Sequence, residues 1–450
     1  MKRELISNGV HDYTEKDNYV YPQNPDVAKH IEWFRGLKLG FMMHWSPASQ
    51  LGTYESWPLS DGDSHWSRKD VDWTDAQTFK QQYRNANQTF NPVKFRPDRW
   101  AELAKECGFQ YLLFTTKHHD GFCMYDTKTT NYKITDPSCP FHSNPNADIT
   151  GALYREFKKR GMGISVYFSK PDWNSAAYWN PSFGEAKTRN VNYEIKKQPK
   201  LWESYVDYVH RQLTELCTNY GKVDVLWLDG GWVRPDNFDQ DIRLGEIVSK
   251  IRSSSQPHLI VCDRTVGGEF ENIVTPEKTI PEQVLTIPWE TCITLGDYFS
   301  FHYQDHYKSG LELVHILLEV VAKGGNLALN TPPQPDGNLP APAVQALREL
   351  GQWLSIFGEG IYQTTVQAPY FDGRLAYTQK ENSIYAFYLY DRFPILPAQL
   401  VVSAEQPIHS VTSLRTKETL PFVQDGSRIE IDISQFSLRD AFFAEGFRLE

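Results

Sequence analysis

The stretch VDVLWLDGGW, residues 223–232, decides how the chain is read. An apolar run ends in one carboxylate, Asp229; Gly230 and Gly231 follow, with Trp227 and Trp232 on either side. A continuous apolar run closed by turn residues fits a strand buried on both faces, as in a parallel sheet. A carboxylate at the end of such a strand is costly to bury unless it is paired or used. Asp229 could cap a following helix. The two glycines instead suggest close approach of the backbone to something, and the tryptophans an apolar wall.

Outward from this stretch, apolar runs alternate with helical patterns. Strands are expected at 37–45, 111–119, 163–169, 223–230, 259–264 and 326–333. Helices are expected at 97–108, with Pro97 near the start and Gly108 at the end, and at 149–161, 202–221, 241–254 and 310–325. Strands alternating with helices argue for a parallel sheet. Some seven units over about 330 residues match a (β/α)8-type barrel with long loops. A doubly wound sheet is the rival, but no GxGxxG follows the first strand. After Gly358 the pattern changes to short alternating runs, at 374–391, 399–414 and 427–434. These predict a small C-terminal antiparallel β-sandwich over 358–450, bracing a catalytic domain over 1–357.

Composition narrows the function. Net charge is −10, with no basic run, which argues against nucleic acid and anionic membrane as partners. No apolar run approaches the ~18–20 residues of a membrane span. The opening MKRELISNGVHDY has a basic pair but no apolar stretch behind it, unlike a secretory leader. The expected location is the cytoplasm for the chain as it stands, or the periplasm or exterior if a leader was removed. The six cysteines are scattered without a CxxC and read as reduced core thiols. The 13 Trp, 24 Tyr and 25 Phe are a heavy aromatic load, suited to core packing or to a ligand with apolar faces such as a sugar.

The C-terminal ends of the expected strands are polar: His44-Trp45, Lys117 to Asp120, Tyr167 and Ser169, Asp229, and Asp263-Arg264. In a barrel these ends share one face around one pocket. His118 and His119 are adjacent, so on a regular strand they would point to opposite faces, and both reach one ligand only at a bulge or strand end. Three chemistries could use this set. A metal hydrolase would use His44, one of the His pair and Asp229, but neither HxH on the first strand nor HExxH occurs. A Ser-His-Asp hydrolase needs a GxSxG elbow, which is absent. Glycoside hydrolysis needs two carboxylates, with histidines or aromatics to hold hydroxyls. Asp229 is the first carboxylate; Glu271, Glu277, Glu282 and Glu290 are candidates for the second.

The residues resemble the α-L-fucosidases of glycoside hydrolase family 29. The resemblance rests on WFRGLKLGFMMHWSP (33–47), YESWPLS (54–60), FNPVKFRPDRWAELAKECGFQYLLFTTKHHDGFCMYDTKTTNY (90–132), VDVLWLDGGW, CDRTVGG (262–268), TPE (275–277), PWETC (288–292) and GGNLALNTPPQPDGNL (324–339). It implies that Asp229 is a nucleophile and that His44, His118 and His119 hold fucose hydroxyls. It places Glu55 and Arg264 in the same pocket, with Trp57, Tyr167 and Trp227 as walls. TPE resembles the family's acid/base motif, which makes Glu277 the acid/base; Glu290 is the runner-up. Glu290 follows the apolar run LTIPW (285–289), which looks like the next strand, and could be a structural carboxylate under the pocket.

The implied reaction is double displacement by carboxylates ~5–5.5 Å apart, with no metal and no cofactor. The stretch GTYESWPLSDGDSHWS (52–67) looks closer to the branch acting on α-1,3/1,4-fucosyl linkages of Lewis-type glycans, so a fucosylated oligosaccharide or glycoconjugate is the expected partner. The alternatives are a catalytically silent fucose-binding barrel and a metal-dependent barrel hydrolase.

Overall fold

A computed structural model describes residues 13–60, 62, 64–68, 75–393, 396–437 and 442–450. Residues 1–12, on which the leader reading rests, and Asp61 and Asp63 of the 52–67 stretch lie outside the described residues.

Seven parallel strands form the central sheet: β1 (Leu39–Met43), β2 (Tyr111–Lys117), β3 (Gly163–Ser169), β4 (Val225–Asp229), β5 (Ile260–Asp263), β6 (Glu290–Thr294) and β7 (Asn326–Asn330). Their order is β5-β4-β3-β2-β1-β7-β6. Every residue of these strands is buried, which is why most of them read as apolar runs without a polar face; β6, ETCIT, is the polar exception. The α-helices of the described residues are, in chain order, α1 (Pro25–Leu37), α2 (Ala76–Asn85), α3 (Pro97–Glu106), α4 (Ile149–Lys159), α5 (Pro199–Thr218), α6 (Leu244–Ser254), α7 (Gly310–Ala322) and α8 (Ala341–Phe357).

Of the expected (β/α)8-type barrel, the described residues show a curled sheet of seven parallel strands. Between edge strands β5 and β6 runs an irregular extended segment. Asn272 donates its amide to Val261, Val274 to Pro288, and Lys278 to Cys292, while Glu290 donates back to Val274. The segment satisfies backbone groups of both edges without forming a regular eighth strand. It also carries Glu277 to the C-terminal ends of the strands. The strand expected around LTIPW starts later, at Glu290, because Pro288 lacks an amide proton for the ladder.

Val27, Ile31 and Phe34 of α1 pack under the sheet with Met42, Tyr111, Tyr167, Val225 and Trp227, and fill the sheet's interior with side chains. After α8 the chain forms two antiparallel sheets. One has five strands: β8 (Thr365–Phe371), β9 (Leu375–Lys380), β10 (Ser383–Leu389), β12 (Val411–Ser413) and β15 (Ala444–Leu449). The other has three: β11 (Gln399–Ser403), β13 (Phe422–Asp425) and β14 (Arg428–Asp432). One apolar cluster joins the two, including Ile384, Ala386, Val402, Ile429, Ile431 and Phe447. The layer is tied to the helices: the Trp353 ring of α8 packs at a tilt against Phe387, 5.8 Å away, and donates its indole proton to the Ala444 carbonyl.

All six cysteines are buried and free. No helix among the described residues is long and apolar enough to cross a membrane.

Candidate active site

The C-terminal ends of β1–β5 do converge. Met42, His44, Glu55, Trp57, His118, Tyr167, Trp227, Asp229, Arg264, Glu277, Cys292 and Phe299 line one narrow pocket there. Asp229 is the last residue of β4. Its Oδ1 accepts from Arg264 Nη1 at 3.0 Å and from the Gly230 amide at 2.8 Å. Its Oδ2 accepts the Tyr167 hydroxyl, and His119 Nε2 lies 3.8 Å away. Arg264 reaches the other way as well: its Nη2 donates to Glu277 Oε2 at 2.8 Å. One guanidinium therefore spans both carboxylates. It is itself aimed by Thr275, which accepts from Nε at 3.1 Å, and by the Trp227 ring beneath it at 4.3 Å.

Gly230 and Gly231 have a different role from the one their spacing suggests. Gly230 has φ +86°, and a Cβ there would lie 2.4 Å from Pro171 Cδ; at Gly231 it would lie 2.0 Å from Thr265 Oγ1. Neighbouring loops, rather than a ligand, press against this backbone. Nor does Asp229 cap a helix, since α6 starts only at Leu244.

The histidine pair satisfies the condition its adjacency imposes. β2 ends at Lys117, with a register shift against β3 between Thr115 and Lys117. Past that irregularity the His118 and His119 rings stand 4.1 Å apart, and His118 lies 5.7 Å from His44. His44 Nδ1 faces Asn330 Oδ1 at 2.8 Å; the same oxygen accepts the His44 amide, while Asn330 Nδ2 donates to the Phe299 carbonyl. The amide orientation is thereby fixed, so Nδ1 carries the proton and Nε2 is left as an acceptor. His119 Nδ1 lies 2.5 Å from Ser169 Oγ, whose own proton goes to the Pro171 carbonyl. Nδ1 is again the donor and Nε2 the acceptor. His118 Nδ1 pairs with Ser56 Oγ at 2.6 Å.

Burial disfavours charge on several groups of this pocket. Burial lowers His44 to about 4, and burial with the neighbouring His119 and His44 holds His118 well below its usual value. Glu55 is raised to about 7 by burial, although its Oε1 accepts the Ser300 amide at 2.8 Å. Neutral imidazoles suit hydroxyl ligands, which need acceptors and donors rather than charge.

The runner-up carboxylate, Glu290, is not in the pocket lining. It opens β6, buried, where its carboxylate accepts the Tyr111 hydroxyl and, at 3.0 Å, the Trp227 indole proton. Burial raises it to about 7. It sits under Trp227 and so holds the ring on which Arg264 rests.

Not every polar strand end serves the pocket. Lys117 pairs with Asp172 at 3.2 Å and Lys170 with Asp263 at 2.5 Å, all buried. Asp120 accepts the Tyr83 hydroxyl at 2.8 Å, and Trp45 packs outward against Phe90, Phe95 and Trp100. These groups brace the loops around the site. Glu271 takes the Thr265 amide at 3.0 Å and is likewise outside the pocket lining. Ser169, one of the expected polar strand ends, holds His119, whereas Asn330 and Ser56, which hold His44 and His118, and the apolar wall residues Phe299 and Met42 are not marked by the sequence reading. Asn330 ends β7, so the strand-end rule reaches it; Phe299 lies on an irregular loop that no periodicity marks.

A curled parallel sheet carrying an Arg-bridged carboxylate pair among hydroxyl-binding groups is the site of a glycoside hydrolase. Comparison with known proteins fixes which kind. The α-L-fucosidase family model matches residues 9–359, and the chain belongs to that family. It is similar to the tissue α-L-fucosidase of Homo sapiens, 27% identical over 417 residues covering 87% of this chain and 81% of the relative. It also resembles the α-L-fucosidase of Dictyostelium discoideum, 26% identical over 383 residues, 79% of this chain and 77% of that one. Among solved structures, α-L-fucosidase isoenzyme 1 from Paenibacillus thiaminolyticus superposes with a TM-score of 0.77 at 27% identity, covering 94% of this chain and 99% of the other. The Thermotoga maritima α-fucosidase in complex with fucose gives 0.74 at 25% identity, with 98% and 99% covered. The chain is a glycoside hydrolase of the α-L-fucosidase type that hydrolyses fucosides.

Proposed function

We propose that the chain releases terminal α-linked L-fucose with retention of configuration, with Asp229 as nucleophile and Glu277 as acid/base. The observation that carries this is the Arg264 bridge between the two carboxylates at the strand-end face. Ionised Asp229, Arg264 and a singly protonated Glu277 make a neutral trio, and that is the proton count double displacement requires. Asp229 attacks the anomeric carbon, while Glu277 gives its proton to the leaving oxygen and then takes one from the water that opens the fucosyl ester. His44 Nε2, left as an acceptor by the Asn330 contact, accepts a sugar hydroxyl proton, and His118 and His119 stand beside it to hold further hydroxyls. Trp57, Trp227, Phe299 and Met42 supply an apolar niche for the 6-deoxy methyl group.

The mechanism needs no metal in this account, although ligand atoms of His118, His119 and Asp229 lie within 4.8 Å of one another. The Tyr167 hydroxyl and Arg264 already fill both Asp229 oxygens, and His119 is tied to Ser169.

The substrate is a fucosylated oligosaccharide, with α-1,3/1,4 linkages of Lewis-type glycans as the preferred class. Support comes from the pocket mouth, where Arg189 lies over both Trp57 and Trp232 at 5.0 and 5.1 Å, an aromatic and cationic rim suited to a second sugar ring. Residues 358–450 act as a brace rather than a sugar-capture module, in keeping with the Trp353–Ala444 hydrogen bond.

The deciding experiment compares an aryl α-L-fucoside with a Lewis-type trisaccharide and follows the first-formed anomer by NMR. Release of α-fucose from both, faster from the trisaccharide, is expected. A β-anomer formed first would refute double displacement; indifference to the trisaccharide would refute the linkage assignment.

A further inference from the structure

At the opposite end of β4 from Asp229 lies a second cluster with no part in fucoside hydrolysis. Asp224, which immediately precedes β4, stands about 16 Å along the strand from Asp229 at ~3.3 Å per residue. Around it gather His30 of α1 and His258 of the loop before β5. Nitrogen atoms of the two histidines and a carboxylate oxygen of Asp224 all lie within 4.8 Å of one another. His30 Nε2 is 3.0 Å from Asp224 Oδ1, and the two rings are 4.6 Å apart. We propose that His30, Asp224 and His258 form a site for a divalent transition-metal ion of the Zn2+ type, clamping α1 to the N-terminal ends of β3, β4 and β5.

Each ligand is held the way metal ligands are held, by a partner on its other side. The Ile164 amide of β3 donates to Asp224 Oδ2 at 2.8 Å, which turns Oδ1 toward the histidines. Trp33 stacks flat on the His30 ring, 4.4 Å away with the planes 11° apart. His258 Nε2 is shielded from solvent and has no hydrogen-bond partner, so the ring's bond to the Val223 backbone falls to its other nitrogen. That tautomer presents a bare Nε2 lone pair, and an unpartnered shielded nitrogen is an unusual expense in a native fold. β3 starts with Gly163, where a Cβ would stand 3.0 Å from Trp33 Cη2 and 3.3 Å from Asp224 Oδ2, so glycine gives the cluster room.

The ligand charges fit as well. Two imidazoles and one carboxylate suit Zn2+ with a water in the fourth position, and bonds near 2.0–2.1 Å put tetrahedral ligand atoms about 3.3 Å apart, a spacing the His30–Asp224 pair at 3.0 Å already approaches. The competitor for the place is Lys222, whose Nζ lies 2.8 Å from Asp224 Oδ1. Its side chain is 56% exposed and leans over Trp33, so it can swing into solvent when a cation arrives.

The test uses the full chain, treated with chelator and dialysed, titrated with Zn2+ by calorimetry and with Co2+ by visible absorption. Wild type should bind one equivalent of either ion, give a tetrahedral Co2+ spectrum, and gain several degrees in Tm with Zn2+. Turnover of an aryl fucoside should stay within about twofold, since the site is remote from the pocket. His258→Gln should weaken binding by at least about tenfold. Lys222→Ala, at an exposed position that folding does not depend on, should instead tighten it by removing the competing ammonium. No binding by wild type up to millimolar Zn2+ would overturn the proposal, and so would unchanged affinity in either variant. Zn2+ that inhibits in competition with fucose would place the ion on His118, His119 and Asp229 and overturn it too.

Discussion

Arg264 places Nη1 3.0 Å from Asp229 Oδ1 and Nη2 2.8 Å from Glu277 Oε2, so the two carboxylates assigned to the chemistry are positioned by one side chain. A lysine cannot span both, because an ammonium is a point donor on a flexible stem rather than a planar fork. Arg264→Lys should therefore lower kcat on an aryl α-L-fucoside by about 10²-fold or more, the scale of losing one preorganised polar contact. Circular dichroism should report an intact fold. Retention of more than half of wild-type kcat would show that the bridge is incidental.

Glu277 and Glu290 are separated by their leaving-group dependence. Protonation contributes most when the leaving group is poor, so the true acid matters more for a natural linkage than for an activated aryl fucoside. Glu277→Ala should damage trisaccharide hydrolysis far more than aryl fucoside cleavage. Glu290→Ala should damage both alike and lower Tm, because it unpairs Tyr111 and the Trp227 indole and loosens the ring under Arg264. Exchanged patterns would move the acid/base role to Glu290.

Glu290 also predicts a pH effect on stability. Burial raises it from 4.5 to about 7, so the folded protein binds a proton that the unfolded chain has lost between those values. Its contribution is fully present below about 4.5 and is lost as pH rises through about 7. A shift of that size corresponds to roughly 3 kcal/mol at most. Glu290→Gln keeps the shape without the charge, so urea titrations should show a flatter decline in stability from pH 5 to 8 than in wild type. Parallel profiles would contradict the assignment.

His44 moves the other way. Burial lowers it from 6.5 to about 4, so its contribution is present above about 6.5 and lost as pH falls toward 4. Asn330 fixes its tautomer. Asn330→Leu should free the ring, raise KM for the aryl fucoside by about tenfold, the weight of one hydrogen bond of 1–1.5 kcal/mol, and change kcat less. An unchanged KM would remove Asn330 from the positioning role.

The strands of the central sheet were legible because burial on both faces leaves no alternation to decode: 163–169 coincides with β3, and 223–230 brackets β4. That the described residues pair only seven parallel strands in this sheet was not legible. Residues 271–278 satisfy both sheet edges through single backbone bonds and have no period, so nothing distinguishes them from a loop. β6 is the polar ETCIT, displaced from the apolar run before it by Pro288. At the site, all the pocket residues named from the resemblance converge, His119 at its edge beside Asp229. The groups that orient them, Ser56, Ser300 and Thr275, lie in irregular segments whose pairings depend on tertiary contact alone. The choice between Glu277 and Glu290 turns on which one faces the pocket, and that requires the course of the bridging segment.

The most direct test of the central claim is turnover by Asp229→Gly with and without azide. Without a nucleophile the glycine variant should lose nearly all activity on an aryl α-L-fucoside while still binding fucose. Azide entering the vacated space should attack from the same face, restore part of the turnover and yield β-fucosyl azide. Wild-type kcat in Asp229→Gly, or azide rescue giving an α-fucosyl azide, would contradict Asp229 as the nucleophile.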